Sequence, residues 1–170
     1  LAERLRVIGF DSENEAFAGW AWDLWRKNRM DYIQVVVHTE TVMLGDSYLL
    51  CDWDAEKGQP RWTHQVAEMI IPHYNEATRE IDWVSKKWIQ HPNIGDDPET
   101  RLNLYYPDRV EKYVARGGVW AKHHDDVDEE WPVSWLDKAG QPLGIPIVHF
   151  RNRPLGGDFG QSEIINVIPM

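Results

Sequence analysis

The residues with the most chemical capacity sit in one run, His123-His124-Asp125-Asp126-Val127-Asp128-Glu129-Glu130. Two imidazoles beside five carboxylates combine the nitrogen and oxygen donors that a metal ion takes, and His123, His124 and Asp125 are the candidate ligands for metal-assisted hydrolysis. Their spacing argues the other way. No zinc pattern sets its ligands side by side like this, and a calcium loop needs glycine at its sixth position and glutamate at its twelfth. Neighbouring carboxylates repel one another and prefer water, so a solvated loop is the plainer expectation.

Other reactive groups lack the company they would need. Cys51 falls inside an alternating apolar stretch, where a small buried hydrophobe is the common role. No serine stands in a G-x-S-x-G elbow, and H-E-x-x-H, G-x-x-x-x-G-K and G-x-G-x-x-G strings are absent. Gly156-Gly157-Asp158-Phe159-Gly160 is glycine-rich, but no lysine follows to reach a phosphate; a turn needing positive φ fits better. Carboxylate pairs such as Asp96-Asp97 and Asp52-Asp54 are too numerous for one to stand out. The residues point to no active site, no cofactor and no enzyme.

The ten tryptophans are the remaining chemical signal. Exposed indole rings stacking on sugars would make a carbohydrate-binding β-module. Core and interface packing is the alternative, because aromatic residues are large and concentrate in subunit contacts. Trp20 and Trp25 lie on one helical stripe and are expected in the core, with Trp22 off it. Trp83 and Trp88 are an odd number apart, so a regular strand turns them to opposite faces.

The elements that position these groups follow from periodicity. Leu1 to Phe10 reads as a weak extended lead-in. Phe17, Trp20, Ala21, Leu24 and Trp25 recur at helical spacing, with Ser12 as the expected N-cap. Ile33, Val36, Val37, Thr41 and Leu44 repeat that spacing from an Asp31 cap to Gly45. Strands are expected around 49–53, 61–66, 69–73, 80–90, 101–106, 110–114 and 147–150, with Pro107-Asp108 turning a hairpin. The fold class is therefore α+β: an N-terminal helical pair, then a mainly antiparallel sheet. The chain reads as one domain, mainly helical over 1–45, with antiparallel strands over 46–116, an acidic loop over 117–130 and a Pro/Gly-rich arm over 131–170.

Composition bounds the partners. With 170 residues and 42% hydrophobic, the chain can bury roughly 70% of its unfolded surface around one core. A net charge of −10 argues against wrapping nucleic acid, which requires clustered lysine and arginine. One cysteine excludes an intrachain disulfide and makes the cytosol the default compartment. No run of eighteen apolar residues is present, so a membrane span is not expected.

One long string carries a family resemblance. Gly144-Ile-Pro-Ile-Val-His-Phe-Arg-Asn-Arg-Pro-Leu-Gly-Gly-Asp-Phe-Gly-Gln-Ser-Glu-Ile-Ile-Asn-Val-Ile-Pro169 resembles a signature of phage portal proteins. In that family a Pro-Val strand and Asn-Arg precede a glycine-rich turn, then Gly-Arg/Gln-Ser-Glu and Ile-Pro. The matching positions are Asn152, Arg153, Pro154, Gly156, Gly157, Gly160, Ser162, Glu163 and Pro169. Leu104 to Tyr113 resembles the family's Tyr-x-Pro-Asp-Arg hairpin through Tyr106, Pro107, Asp108 and Arg109, and the two helices fall in matching order. Gln161, where arginine is common, and the acidic insert near residue 125 depart from the pattern.

The resemblance implies a structural role in the wing of a portal ring, typically of twelve subunits, at one capsid vertex. DNA would pass through without sequence-specific binding. The implied partners are further copies of the chain, the major capsid protein, the terminase and head-completion proteins. The implied location is the virion, with assembly in the host cytoplasm and a prophage as a further source. Pro169 would open a stem helix beyond Met170.

Overall fold

The computed structural model describes residues 6–92, 97–126 and 128–164. Asp96 and Pro169 lie outside the described residues. Among the described residues two α-helices, α1 (Glu15–Lys27) and α2 (Met30–Leu44), precede nine strands, all of whose pairings are antiparallel. The α+β architecture read from the sequence is the observed one. The residues group into two compact units, residues 1–67 with 147–170, and residues 68–146.

In the first unit the cap of α1 lies two residues later than expected, at Asn14 rather than Ser12. Asn14 Oδ1 accepts from the Ala16 and Phe17 amides, at 3.1 and 3.2 Å, whereas Ser12 Oγ takes the Asn14 amide. An asparagine two residues nearer the helix satisfies two of the orphan donors at once. Residues 6–10 form no strand. The corner to α2 is made by Asn28 and by Arg29 in the left-handed region at φ 55°. Asn28 holds the corner to the sheet: its Nδ2 donates to the Leu24 and Pro60 carbonyls and its Oδ1 accepts from the Trp62 amide. Arg29, not Asp31, occupies the N-cap of α2, and Asp31 falls in its first turn, where its charge complements the helix dipole.

The helices cover a three-stranded sheet ordered β2-β1-β9, formed by Gln59–Gln65, Asp46–Asp54 and Ile147–Arg151. Leu49 of the central strand packs with Trp25, Met30 and Val37, flanked by Trp22, Ile33, Cys51, Trp62 and Phe150. Tyr48 and Leu50 on the opposite face are also buried, which explains the unbroken Tyr48-Leu49-Leu50 run of a strand covered on both sides. The tryptophans of α1 invert one expectation. Trp22 packs against the core, stacked on Trp25 at 6.3 Å, while Trp20 is 54% exposed and pairs with exposed Phe17. The buried arc centres on Leu24 and Trp25, and Phe10 draws Trp22 inward through an edge contact at 6.1 Å.

The second unit is a twisted sheet of β3 (Ile70–Tyr74), β4 (Ile81–Gln90), β5 (Glu99–Tyr105), β6 (Arg109–Arg116) and β7 (Val119–Lys122), with β8 (Val133–Ser134) also on β6. Residues 119–122, read from the sequence as part of the acidic loop, are thus strand. Cross-strand register puts Ile70, Val84, Tyr105, Val110 and Val114 on one buried face. The other face carries Ile71, Ile89 and Trp120, all exposed. Trp83 and Trp88 take opposite faces, as their spacing predicts: Trp83 stacks on His73 at 3.5 Å, and Trp88 lies opposite Arg101 beneath the Lys86 ammonium. No helix among the described residues is long and apolar enough to cross a membrane.

Candidate functional site

A helix leaves its last carbonyls without intrahelical partners, and something must satisfy them. At the end of α2 the Gly45 amide takes the Thr41 carbonyl at 2.9 Å, the usual way a helix closes on glycine. Three further acceptors at this end are met by residues more than a hundred positions later. The Glu163 amide donates to the Val42 carbonyl at 2.9 Å, the Ser162 hydroxyl to the Met43 carbonyl, and the Asn152 amide to the Gly45 carbonyl at 2.8 Å. Three polar positions of the C-terminal string therefore form a distant cap on the second helix.

The rest of that string holds the cap in shape. Asn152 Nδ2 donates to the Gln161 carbonyl at 2.7 Å and to Glu163 Oε1 at 3.1 Å, and the Gln161 amide returns to the Asn152 carbonyl at 2.7 Å. Arg153 pairs with Glu163 at 3.0 Å while standing at φ 45°. Gly156, at φ 77°, turns the segment after Pro154, whose carbonyl accepts from it at 2.7 Å. Gly157 has open surroundings, with nothing nearer than 3.8 Å to a Cβ placed there. Gly160 is different: a Cβ there would lie 2.0 Å from the Gly45 carbonyl oxygen and 2.6 Å from the Asn152 nitrogen. Gly45 faces it at φ 98°, so two glycines meet back to back.

Asp46 fastens the same junction from below. Its Oδ1 accepts from the Gly160 amide at 2.8 Å and pairs with His149 Nε2 at 2.7 Å. His149 is stacked on Tyr48 at 4.5 Å, with a side chain only 3% exposed. Burial drives its pKa below the ordinary histidine value, against the opposing pull of Asp46.

The second motif is also positional. The Tyr106 amide donates to the Arg109 carbonyl at 2.9 Å across Pro107-Asp108, closing the expected hairpin. Arg109 lies 4.0 Å over the Tyr106 ring and pairs with both Asp108 and Glu111. The turn's free carbonyls anchor the arm that follows: Pro107 accepts from the Gly144 amide at 3.0 Å and Asp108 from the Trp135 amide at 2.8 Å.

Of the three metal candidates, Asp125 is engaged by a lysine. Lys112 Nζ reaches Asp125 at 2.6 Å and Glu129 at 2.5 Å, and Glu129 also accepts from the Asp125 amide at 2.8 Å. His123 joins Asp125 at 3.0 Å, but His124 turns to the Glu129 carbonyl at 2.9 Å. Among the described residues no group of three or more histidine, cysteine, aspartate or glutamate side chains could hold a metal ion. The acidic run is therefore only partly the solvated loop expected. Asp126, Asp128 and Glu130 are exposed, whereas Asp125 and Glu129 fold back on Lys112. Burial opposes the charge on both Lys112 and Asp125, yet their mutual hydrogen bond carries Lys112 above and Asp125 below its ordinary value. Beside this clamp, Glu99 pairs with Arg116 at 2.5 Å and Arg101 at 3.0 Å, and the Arg116 hydrogen bond lowers its pKa.

Sequence reasoning missed Asp46 and Lys112, which organise the two sites. Neither belongs to a motif, and each gains its role only through partners on distant elements. Asp52 and Asp54 are engaged with Arg61 and Lys57, and Cys51 is half-buried with its thiol pushed up to about 11 by burial. Among the described residues Trp20, Trp53 and Trp120 are the exposed tryptophans, on α1, β1 and β7. No family model matches the chain, and a search of the curated proteins finds no match.

Proposed function

We propose that this chain belongs to the wing of a phage portal protein, a structural ring component at the capsid vertex through which DNA enters and leaves. The observation that carries the reading is the distant cap: of the nine positions at which the C-terminal string resembles the portal signature, Asn152, Ser162 and Glu163 bond the end of α2 and Gly160 packs against Gly45 there. A string that builds a helix junction has a structural reason for those residue types in that order. A ring subunit must direct its chain from the wing in a fixed direction, and a rigid junction does this.

The surface supports assembly. Phe17, Trp20, Tyr32 and Met43 on the helices, and Ile71, Ile89 and Trp120 on one sheet face, expose large apolar side chains of the kind that subunit contacts cover. The role is non-catalytic, with further copies, major capsid protein, terminase and head-completion proteins as partners in the virion. A net charge of −10 suits a conduit protein that must not hold DNA. Expression of the complete gene product tests the reading: closed rings in negative-stain images, with a ring-sized mass by light scattering, are expected. A stable monomer at micromolar concentration would overturn it.

A further inference from the structure

The face of the second sheet that buries Val84, Tyr105 and Val110 does not stay apolar along its length. Trp88 stands opposite Arg101, and Asn103 opposite Lys112. Partners across a ladder share a face, as do residues two apart on one strand. These side chains, with Gln90, His123 and Asp125, wall a cup of about 150 Å3. That is space for roughly five waters, or for one six-membered sugar ring. Arg101, buried at 9% exposure, belongs to its floor, while Gln90 and Asp125 are exposed and belong to its rim.

The charges of the cup are already matched. Lys112 is held by Asp125 and Glu129, Arg101 by Glu99 at 3.0 Å, and His123 by Asp125 at 3.0 Å. A charged ligand would have to break one of these pairs and leave a partner without its counter-ion, whereas a neutral ligand keeps them all. What the wall offers beyond the pairs is neutral. The Gln90 carboxamide both donates and accepts, and Asn103, which gives its Nδ2 to the Tyr105 hydroxyl at 3.2 Å, keeps its carbonyl oxygen as an acceptor. The Trp88 indole adds an apolar wall; Lys86 lies 4.7 Å over that ring but does not line the cup. Carboxamides that match hydroxyl groups, a rim carboxylate that accepts from them and an aromatic ring for C–H bonds are together the chemistry that recognises a sugar.

We infer that this cup is a binding site for one neutral sugar ring, its hydroxyl groups on Gln90, Asn103 and Asp125 and its C–H face toward Trp88. The site lies wholly within the second unit and goes beyond the portal reading without resting on it. A ligand of about a dozen non-hydrogen atoms binds such a wall with a Kd of roughly millimolar size.

The test adds the methyl glycosides of glucose, galactose, mannose and N-acetylglucosamine to the intact chain, each at about 50 mM and so well above such a Kd. The readouts are the Trp88 indole and Gln90 carboxamide resonances, assigned with Trp88→Phe and Gln90→Ala. At least one glycoside is expected to move both resonances saturably, and inorganic phosphate at matched ionic strength to leave both in place. Gln90→Ala, a truncation at an exposed position, should weaken that glycoside about five- to tenfold when read at Trp88, the worth of one hydrogen bond. Asn103→Leu should weaken it by a similar factor. Resonances unmoved by all four glycosides, phosphate binding more tightly than any of them, or an affinity unchanged in both Gln90→Ala and Asn103→Leu would overturn the assignment.

Discussion

The helix junction of the first unit and the lysine clamp of the second hold their chains by different means. At the junction most contacts are backbone to backbone or end on a carbonyl, and two glycines leave no room between them. At the clamp the contacts are side-chain ion pairs, with Asp125 60% exposed. The difference teaches which substitutions each can absorb. A backbone junction tolerates changes of salt but not of volume, whereas an ion-pair clamp tolerates volume and responds to ionic strength.

The largest effect should come from volume at the junction. Gly160→Ala pushes a methyl group into the Gly45 carbonyl, so thermal unfolding should show a loss of about 3 kcal/mol, the upper part of the usual overpacking range. Gly19→Ala, inside α1 with open surroundings, is the control and should instead stabilise by about 0.5–1 kcal/mol. Asn152→Ala keeps the backbone bonds but removes the two side-chain bonds to Gln161 and Glu163. Denaturant titration should find about 1–2 kcal/mol lost, nearly the same at low and high salt.

Lys112→Met sharpens the comparison from the other side. It leaves Asp125 and Glu129 facing each other without their cation, and the expected loss is about 1 kcal/mol at low ionic strength, shrinking as salt is added. A salt-independent loss would mean that the clamp works by packing instead.

The smallest effect separates the two regions by pH. His149 is held below its ordinary pKa, so the unfolded chain protonates first and the junction weakens as pH falls through about 6.5. Asp125 and Glu99 are also held below their ordinary values, and their contribution stays intact until pH falls to about 4. Amide exchange at pH 7 and pH 5 should show loosening around residues 149–160 and none around Lys112. The reverse order would break the distinction.

Much of this architecture was legible from local pattern. The apolar spacing of α1, the alternation of β5 and β6, and Pro107-Asp108 between them are short-range signals, and each gave the right element. The Asn152 to Glu163 string could be singled out by resemblance, but its partners could not, because Val42, Met43 and Gly45 offer only backbone carbonyls. Capping was misjudged where two polar residues competed: Ser12 and Asn14 both suit an N-cap, and only geometry selects Asn14. Trp22 takes the place expected of Trp20 beside the core, in contact with Trp25 and with Phe10, a residue outside the helix. The Lys112 clamp was hidden because an acidic run reads as solvated until a buried cation is brought to it. The cup was invisible for the same reason, since its wall is gathered from β4, β5, β6 and the residues after β7.

The most direct test is hydrogen exchange at the amides of Asn152, Gln161 and Glu163 in the intact chain. If the C-terminal string is a fixed cap on α2, these three amides exchange as slowly as those of Leu49 and Leu50 in the central strand β1. Exchange at the rate of an exposed loop, with the β1 amides still protected, would contradict the cap and remove the main support for the portal reading.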